Sequence, residues 1–401
     1  VFLLRLDDTD AARSEERFAE AIRRDLEWVG LGWDRQARQS ERLAVYADAA
    51  DRLRAAGRLY PAYETPEELE IRRRIQLSQG RPPVYDRAAL KLDAAGRAAL
   101  EAQGRRPHWR FRLEGAAAWE DGILGPQRVE DGAVSDPVLI REDGTVLYTM
   151  ASVVDDAEFG VTDVIRGADH VTNTAVQIQI FEALGAPPPR FAHHSLLTGP
   201  GGAALSKRDG ALSLDDLREQ GVEPMALVSL LARLGSRRDV APLTDMAQAA
   251  DGFDLADFGA APVVFDPDQL RRLSATVLRA LPFDAAKARL AAMGIEGEQA
   301  AAFWDAVRPN LDRMADAADW WAVAREPRGL VEEEDAEFVA QAMALLPPRP
   351  WGADAWGQWT AAVKAATGRK GRALFLPLRR ALTGRDHGPD MGAFMPLLQR
   401  P

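Results

Sequence analysis

Ala204-Leu205-Ser206-Lys207-Arg208-Asp209-Gly210 is a short stretch that presents one lysine and one arginine beside glycine. Gly201, Gly202 and Gly210 free the backbone to approach and close over a ligand, and a lysine ammonium on such a loop follows negative charge as it develops on a triphosphate. Taken alone, the stretch reads more simply as a solvated basic turn. What decides the reading is the order of the segments before it. The chain opens Val1-Phe2-Leu3-Leu4-Arg5-Leu6-Asp7-Asp8-Thr9-Asp10, an apolar run of buried-strand type ending in three carboxylates and a threonine. Tyr148, the run Ser152-Val153-Val154-Asp155-Asp156, and Gly160-Val161-Thr162-Asp163-Val164-Ile165-Arg166-Gly167-Ala168-Asp169-His170 follow, read here as strand ends that carry polar groups. In an open parallel sheet such ends line the ligand crevice.

Composition sets wider bounds. The 401 residues leave room for two or three domains, and 47% hydrophobic with 28% charged residues is ordinary for a globular protein. No apolar run approaches a membrane span and no basic segment or small-residue cleavage site frames the first residues, so a cytoplasmic protein is expected. Zero cysteines exclude disulfides and cysteine-ligated zinc, and the five histidines show no pairing at ligand spacing, so no metal site is expected. His193-His194 reads as a strand end. A formal net charge of -11 argues against a generally polyanion-binding surface, but Lys364, Arg369, Lys370, Arg372, Arg379, Arg380 and Arg385 lie in one stretch with no acidic residue among them. That local density suits phosphate tracking, or equally a solvated helix face.

Periodicity gives the organisation. Phe18, Ile22, Leu26 and Val29 recur at helical spacing, as do Leu43, Tyr46, Ala50 and Leu53 before Gly57. Thr65-Pro66-Glu67-Glu68 is a helix start with a capping threonine, proline in the first turn and a glutamate three residues after the cap. Short strands such as Trp109 to Leu113 mark the stretch to about Pro137 as an insertion between two halves of a nucleotide-binding sheet. The sheet is expected to resume at Val138 to Ile140, turn at Glu142-Asp143-Gly144 into Val146-Leu147-Tyr148, and continue at Asp163 to Arg166. A helix from about Thr174 to Leu184 closes at Gly185. Beyond about Pro262 strand alternation disappears. Asp266-Pro267 caps a helix whose Leu270, Leu273, Val277 and Leu281 share a face, and six of the ten tryptophans, from Trp304 to Trp359, read as the core of a helical domain.

These segments, in this order and nearly end to end, resemble the bacterial glutamyl-tRNA synthetases, a family of class I aminoacyl-tRNA synthetases in which the lysine loop is the second signature motif. The resemblance implies an α/β Rossmann-type catalytic domain with a connective insertion, followed by an all-α anticodon-binding domain. The parts fall at 1–59 and 138–202 for the catalytic halves, 60–137 for the tRNA acceptor-binding insertion, 203–262 for the lysine loop and stem-contact region, and 263–401 for the anticodon-binding domain. The helical tail separates the chain from the glutaminyl enzymes, with their β-barrels, and from the short glutamyl-queuosine enzymes.

The implied activity is a glutamate-tRNA ligase with glutamate, ATP, Mg2+ accompanying the phosphates, tRNA(Glu) and, with relaxed selectivity, tRNA(Gln) as partners, and no zinc. By position Asp7 resembles the residue that takes the amino group of glutamate, and Arg166 the arginine that reads its side-chain carboxylate. Tyr148 and Ser152 match substrate contacts, Ser152 standing where asparagine is common. Asp169 and His170 match ATP contacts. Leu205, Ser206 and Arg208 belong to the ATP loop, where Lys207 stabilises the α-phosphate in the transition state. Asn310, where strict enzymes often carry arginine, and Arg379 match anticodon contacts. Asp8 and Asp10 are expected only to cap the following helix.

Two departures stand out. Members of the family begin with a strand, a proline-rich turn and an H-I-G-H motif, roughly 30 to 40 residues amounting to one strand-loop-helix unit. The sequence as given has none of these, and the expectation is an incomplete gene record. If the given chain were the whole polypeptide, the rival reading would be a catalytically impaired tRNA-binding protein. Ala204 replaces the first lysine common in the loop.

Overall fold

The computed structural model describes residues 1–10, 14–202 and 213–399. The described residues cluster into two compact units, one from 1–10, 14–202, 233–239 and 252–265, the other from 213–232, 240–251 and 266–399.

The first unit is α/β. The opening run forms the strand Leu3–Leu6, parallel to Arg35–Arg38, with Leu4 and Leu6 buried on alternate positions. A four-stranded sheet runs in the order Gly125–Val129, Ala117–Asp121, Arg190–His194, Asp163–Gly167, antiparallel in its first pair and parallel in the other two. The parallel part is thus Arg190–His194 with a neighbour on each side, Ala117–Asp121 and Asp163–Gly167. Val138–Ile140 does not resume that sheet. It pairs antiparallel with His108–Phe111, which pairs antiparallel with Leu59–Ala62. Ile140 and Val146 still face each other across the expected turn, as a single antiparallel bridge.

The largest correction concerns Tyr148 and Ser152 to Asp156, expected on strands. They lie on one helix, Tyr148–Phe159, closed by Gly160 at φ 68°. Met150, Ala151, Ser152, Val153, Val154 and Asp155 are all buried, so the helix shows apolar side chains on every side and loses its period in the sequence. Asp8 and Asp10 do not cap the next helix, Glu16–Trp28, whose N-cap is Glu15. Asp8 instead accepts from the amide (2.8 Å) and hydroxyl (2.9 Å) of Ser40, and Asp10 lies 3.7 Å from Arg141. Glu16–Trp28 itself buries none of its residues, and Phe18 and Ile22 are exposed.

Other expectations hold closely. Thr65 and Glu68 form a reciprocal capping box at the start of Pro66–Ser78, the Glu68 amide donating to Thr65 Oγ1 (3.3 Å) and the Thr65 amide to Glu68 Oε2 (3.0 Å). Helices Leu43–Ala55 and Val171–Ala183 lie where periodicity puts them. One strand pair escapes the expectation of none beyond Pro262: Val263–Val264 runs parallel to Leu197–Thr198.

The second unit is helical among its described residues. Asp266 caps Pro267–Ala280, whose Leu270, Leu273 and Val277 are buried. The tryptophans fill a single core: Trp304, Trp351 and Trp359 are buried, and Trp320, Trp321 and Trp356 pack against it. Each fully buried indole finds a carbonyl, Trp304 at Leu281 (2.9 Å) and Trp359 at Ala342 (2.7 Å).

Candidate active site

The helix Tyr148–Phe159 organises the site. Tyr148 and Ser152 are four residues apart and share its first-turn face, and each meets an arginine from a different strand. Arg166, from Asp163–Gly167, donates from Nη1 to the Tyr148 hydroxyl (3.3 Å), from Nη2 to Thr174 Oγ1 (2.7 Å) and Gln177 Oε1 (2.6 Å), and from Nε to His193 Nε2 (3.4 Å). Its guanidinium also lies 5.6 Å from the centre of the Phe191 ring. None of these partners is anionic, so the cation keeps its charge for a ligand while most of its hydrogens are held in place.

Arg5 holds the other end. On its strand it shares a face with Asp7, and its Nε donates to Asp7 Oδ1 (2.8 Å) while Nη1 donates to Asp156 Oδ1 (2.5 Å) and Nη2 approaches Ser152 Oγ (3.5 Å). Burial works against the Arg5 charge, but Asp7 and Asp156 outweigh it and raise its pKa above the ordinary arginine value. Beneath lies Asp155, fully buried, accepting from Gln39 (3.1 Å), Arg42 (2.8 Å) and the Tyr46 hydroxyl (3.0 Å). The carboxylate is therefore compensated, as a buried charge has to be.

Asp169 and His170 follow Arg166 in a 3-10 turn, Ala168–His170. His170 Nε2 lies 3.8 Å from Asp169 Oδ2, its Nδ1 meets Asn173 Nδ2 at 3.1 Å, and its ring packs edge-on to Tyr148 at 6.1 Å. Gly167 makes room for this turn. A Cβ there would sit 2.5 Å from Asp169 Oδ1 and 2.9 Å from Leu196.

The structure thus gathers Arg166, Tyr148 and His170 at one end and Asp7 and Ser152 around Arg5 at the other. Leu205, Ser206, Lys207 and Arg208 lie outside the described residues. Asn310 and Arg379 belong to the second unit. Asn310 is exposed at the end of the turn Arg308–Asn310. Arg379 donates from Nη2 to Pro389 O (3.0 Å), its Nη1 is buried without a hydrogen-bond partner among the described residues, and burial draws its pKa below the ordinary arginine value despite Asp390 nearby.

Sequence reasoning did not single out Arg5, Thr174, Gln177, His193 or Asp121. Only Arg5 left a signal, its two-residue spacing from Asp7 on a strand. Between Tyr63 and Leu147 a cleft of ≈ 900 Å³ is lined by charges of both signs, four arginines (Arg105, Arg106, Arg110, Arg141) and the carboxylates of Glu64, Glu67, Glu142 and Asp143 among others. Among the described residues no cluster of three or more potential ligands stands ready for a metal ion, and no helix is long and apolar enough to cross a membrane.

Comparison with known proteins places these features in context. Residues 1–272 match the family of class I tRNA synthetases (E and Q), catalytic domain, and residues 311–401 match an anticodon binding domain. A glutamate-tRNA ligase of Ruegeria pomeroyi is 57% identical over 400 residues, covering 99% of this chain and 90% of the relative. One from a Methylobacterium species is 59% identical over 400 residues, covering 100% and 89%. Among solved structures, the glutamate-tRNA synthetase of Elizabethkingia anophelis superposes with a TM-score of 0.81 at 25% identity, covering 99% of this chain and 90% of that one. A glutamate tRNA ligase of Elizabethkingia meningosepticum, in complex with its amino acid, gives 0.82 at 25% identity over 98% and 89%.

Proposed function

We infer, from the premise that this chain belongs to the class I tRNA synthetases for glutamate and glutamine, that it is a glutamate-tRNA ligase. The reaction runs in two steps. A carboxylate oxygen of glutamate attacks the α-phosphorus of ATP, the bond to the bridging β-phosphate oxygen breaks, and pyrophosphate leaves; Mg2+ bound to the phosphates would neutralise part of their charge. A ribose hydroxyl at the 3' end of tRNA(Glu) then attacks the acyl carbon and AMP leaves.

The observation that carries the amino-acid assignment is Arg166, a cation with four hydrogen-bond partners, the Tyr148 hydroxyl among them, none of which is anionic. Such an arrangement attracts a planar anion and offers nothing comparable to the uncharged amide of glutamine. Asp7, with Oδ1 on Arg5, receives the substrate ammonium, and Ser152 lines the same wall. Asp169 and His170 face ATP. Leu205, Ser206 and Arg208 shape the ATP loop, and Lys207 meets the charge that appears on the α-phosphate in the transition state. In this reading 60–137 receives the tRNA acceptor end, 1–59 and 138–202 are catalytic, 203–262 makes stem contact and 263–401 reads the anticodon, the family match to an anticodon binding domain over 311–401 supporting the last. A cytoplasmic setting fits this role.

Arg166→Ala tests the assignment. The variant is expected to lose more than a hundredfold in kcat/KM for glutamate, since stripping one partner from a desolvated charge pair costs about 3 kcal/mol or more. Near-normal use of glutamate would reduce Arg166 to a structural role.

A second reading concerns tRNA choice. Asn310 is exposed, while Arg308 is held by Asp305 (3.3 Å) and the Arg279 carbonyl (2.6 Å) and Arg313 by Asp316 (3.1 Å). The neighbouring arginines are therefore engaged, and a short amide reads the last anticodon base less firmly than an arginine would, by about 1 to 3 kcal/mol. Glutamylation of tRNA(Gln) alongside tRNA(Glu) is the expected result with the two purified tRNAs. A preference for tRNA(Glu) beyond a hundredfold would sink this reading.

A further inference from the structure

The side chains of His193 and Asp121 are both 0% exposed, and they meet through a 2.5 Å contact between Nδ1 and Oδ2. They come from neighbouring strands of the four-stranded sheet that lie 72 residues apart in the chain, Ala117–Asp121 and Arg190–His194. Asp121 divides its work between its two oxygens. Oδ1 accepts the amides of Ile123 (3.1 Å), Leu124 (3.0 Å) and His193 (3.0 Å), which fixes the hairpin turn and ties it to the neighbouring strand. Oδ2 takes the imidazole and a long contact from Trp119 Nε1 (3.4 Å). Burial pushes this carboxyl up, but the bonds from the His193 ring and the three amides outweigh it and hold it below the usual aspartate range. It is an acceptor.

A carboxylate at Nδ1 requires that nitrogen to carry a hydrogen, and Arg166 Nε, which can only donate, meets the lone pair of Nε2. That lone pair faces Arg166 Nε (3.4 Å) and Thr174 Oγ1 (2.9 Å). Thr174 in turn accepts from Arg166 Nη2 (2.7 Å), whose second hydrogen goes to Gln177 (2.6 Å). Four of the five guanidinium hydrogens are thereby committed: Nε, both on Nη2, and one on Nη1 to Tyr148. What is left for a ligand is one Nη1 hydrogen and the Tyr148 hydroxyl hydrogen, side by side.

We propose that Asp121 and His193 are positioning residues for Arg166, fixing the imidazole so that its Nε2 accepts from the guanidinium and only the Nη1 edge, together with Tyr148, faces the substrate carboxylate. This rests on the reading of Arg166 as the residue that receives the glutamate side chain. The purpose of the Oδ2 contact is not hairpin stability, because Oδ1 alone supplies the turn and strand bonds. If the ring carried its hydrogen on Nε2 instead, Nε2 could no longer accept from Arg166 Nε, and Thr174 Oγ1 at 2.9 Å would take that hydrogen in place of the guanidinium.

Asp121→Asn isolates this contact. The amide oxygen keeps the three backbone bonds and turns its NH2 toward Nδ1, which forces the hydrogen to Nε2, the wrong tautomer for Arg166. In charging assays on the enzyme, the expected result is a rise of about tenfold or more in the KM for glutamate, with kcat and the KM for ATP within about threefold of the parent. The double variant Asp121→Asn/His193→Gln should recover most of the loss, since the glutamine carbonyl accepts from Arg166 and has no tautomer to flip. A glutamate KM within twofold of the parent in Asp121→Asn overturns the proposal. Should that variant fail to fold, His193→Gln and His193→Leu carry the test: glutamine is expected near the parent and leucine tenfold worse, and equal values for the two overturn it. Arg166→Ala separates the failures. If it spares glutamate use, the reading of Arg166 falls; if it abolishes glutamate use while Asp121→Asn has no effect, only the positioning role falls.

Discussion

At the scale of single residues, the site separates charge from geometry. Arg166 supplies the charge, and Tyr148, Thr174, Gln177 and His193 supply its direction without neutralising it. Tyr148→Phe removes one acceptor for Nη1 and, on the proposed reading, one donor to the substrate carboxylate. A hydrogen bond to a charged group contributes about 1.5 to 3 kcal/mol, so kcat/KM for glutamate is expected to fall about tenfold to a hundredfold with the KM for ATP unchanged. An unaltered glutamate kcat/KM would remove the hydroxyl from the pocket. Lys207→Ala should act the other way, lowering the rate of adenylate formation in rapid-quench measurements while glutamate binding is spared, because it meets charge only in the transition state. Weakened glutamate binding at full rate would refute that role. Asp7, Tyr148 and Arg166 could be proposed from the sequence because they punctuate recognisable segments. Asp121 and His193 were not, since their meaning lies in a contact across 72 residues and neither has a local pattern to announce it.

At the scale of elements, local chemistry was readable where it is written in consecutive residues. The capping box of Thr65 and Glu68 is one such case, and Glu68 also receives Arg105 (2.8 Å). The hydrogen bond from Arg105, then the Thr65 amide, hold its carboxyl at about 2 against an ordinary 4.5. A lowered carboxylate pKa stabilises the fold above the unfolded value and loses that stabilisation as pH falls through the folded one. Urea titrations should therefore show a contribution from Glu68 that is constant above about pH 4.5 and decays between there and about pH 2, and that vanishes in Glu68→Gln. A decay centred near neutral pH would rule Glu68 out as its source. The helix Tyr148–Phe159 was illegible for the opposite reason: burial on every side erases the 3.6-residue period, and its valines favour the strand reading. The basic stretch was legible in composition only. Arg369 is taken by Asp335 (2.5 Å) and Arg380 by Asp386 (2.6 Å) and Glu332 (3.3 Å), whereas Lys364, Lys370, Arg372 and Arg385 are exposed with no side-chain hydrogen bond or ion pair among the described residues. Arg372→Ala is expected to reduce the salt dependence of tRNA binding by about one unit of slope, and Arg380→Ala to leave it unchanged. Equal slopes for both variants would contradict this division.

At the scale of the whole molecule, an α/β unit and a helical unit each have their own core, and a net charge of -11 coexists with a local stretch of exposed cations, Lys364, Lys370, Arg372 and Arg385. The fold class was legible from segment order, which survives even where individual elements were misread, since the site depends on which residues close a strand or open a helix. The central claim is that the protein joins glutamate to tRNA and selects it by its side-chain charge. The most direct test is ATP-dependent charging of purified tRNA(Glu) with glutamate, glutamine and aspartate compared side by side. The account predicts attachment of glutamate, at least a hundredfold above glutamine in kcat/KM, from about 3 kcal/mol of lost charge recognition. Comparable charging with glutamine, or none with glutamate, would contradict it.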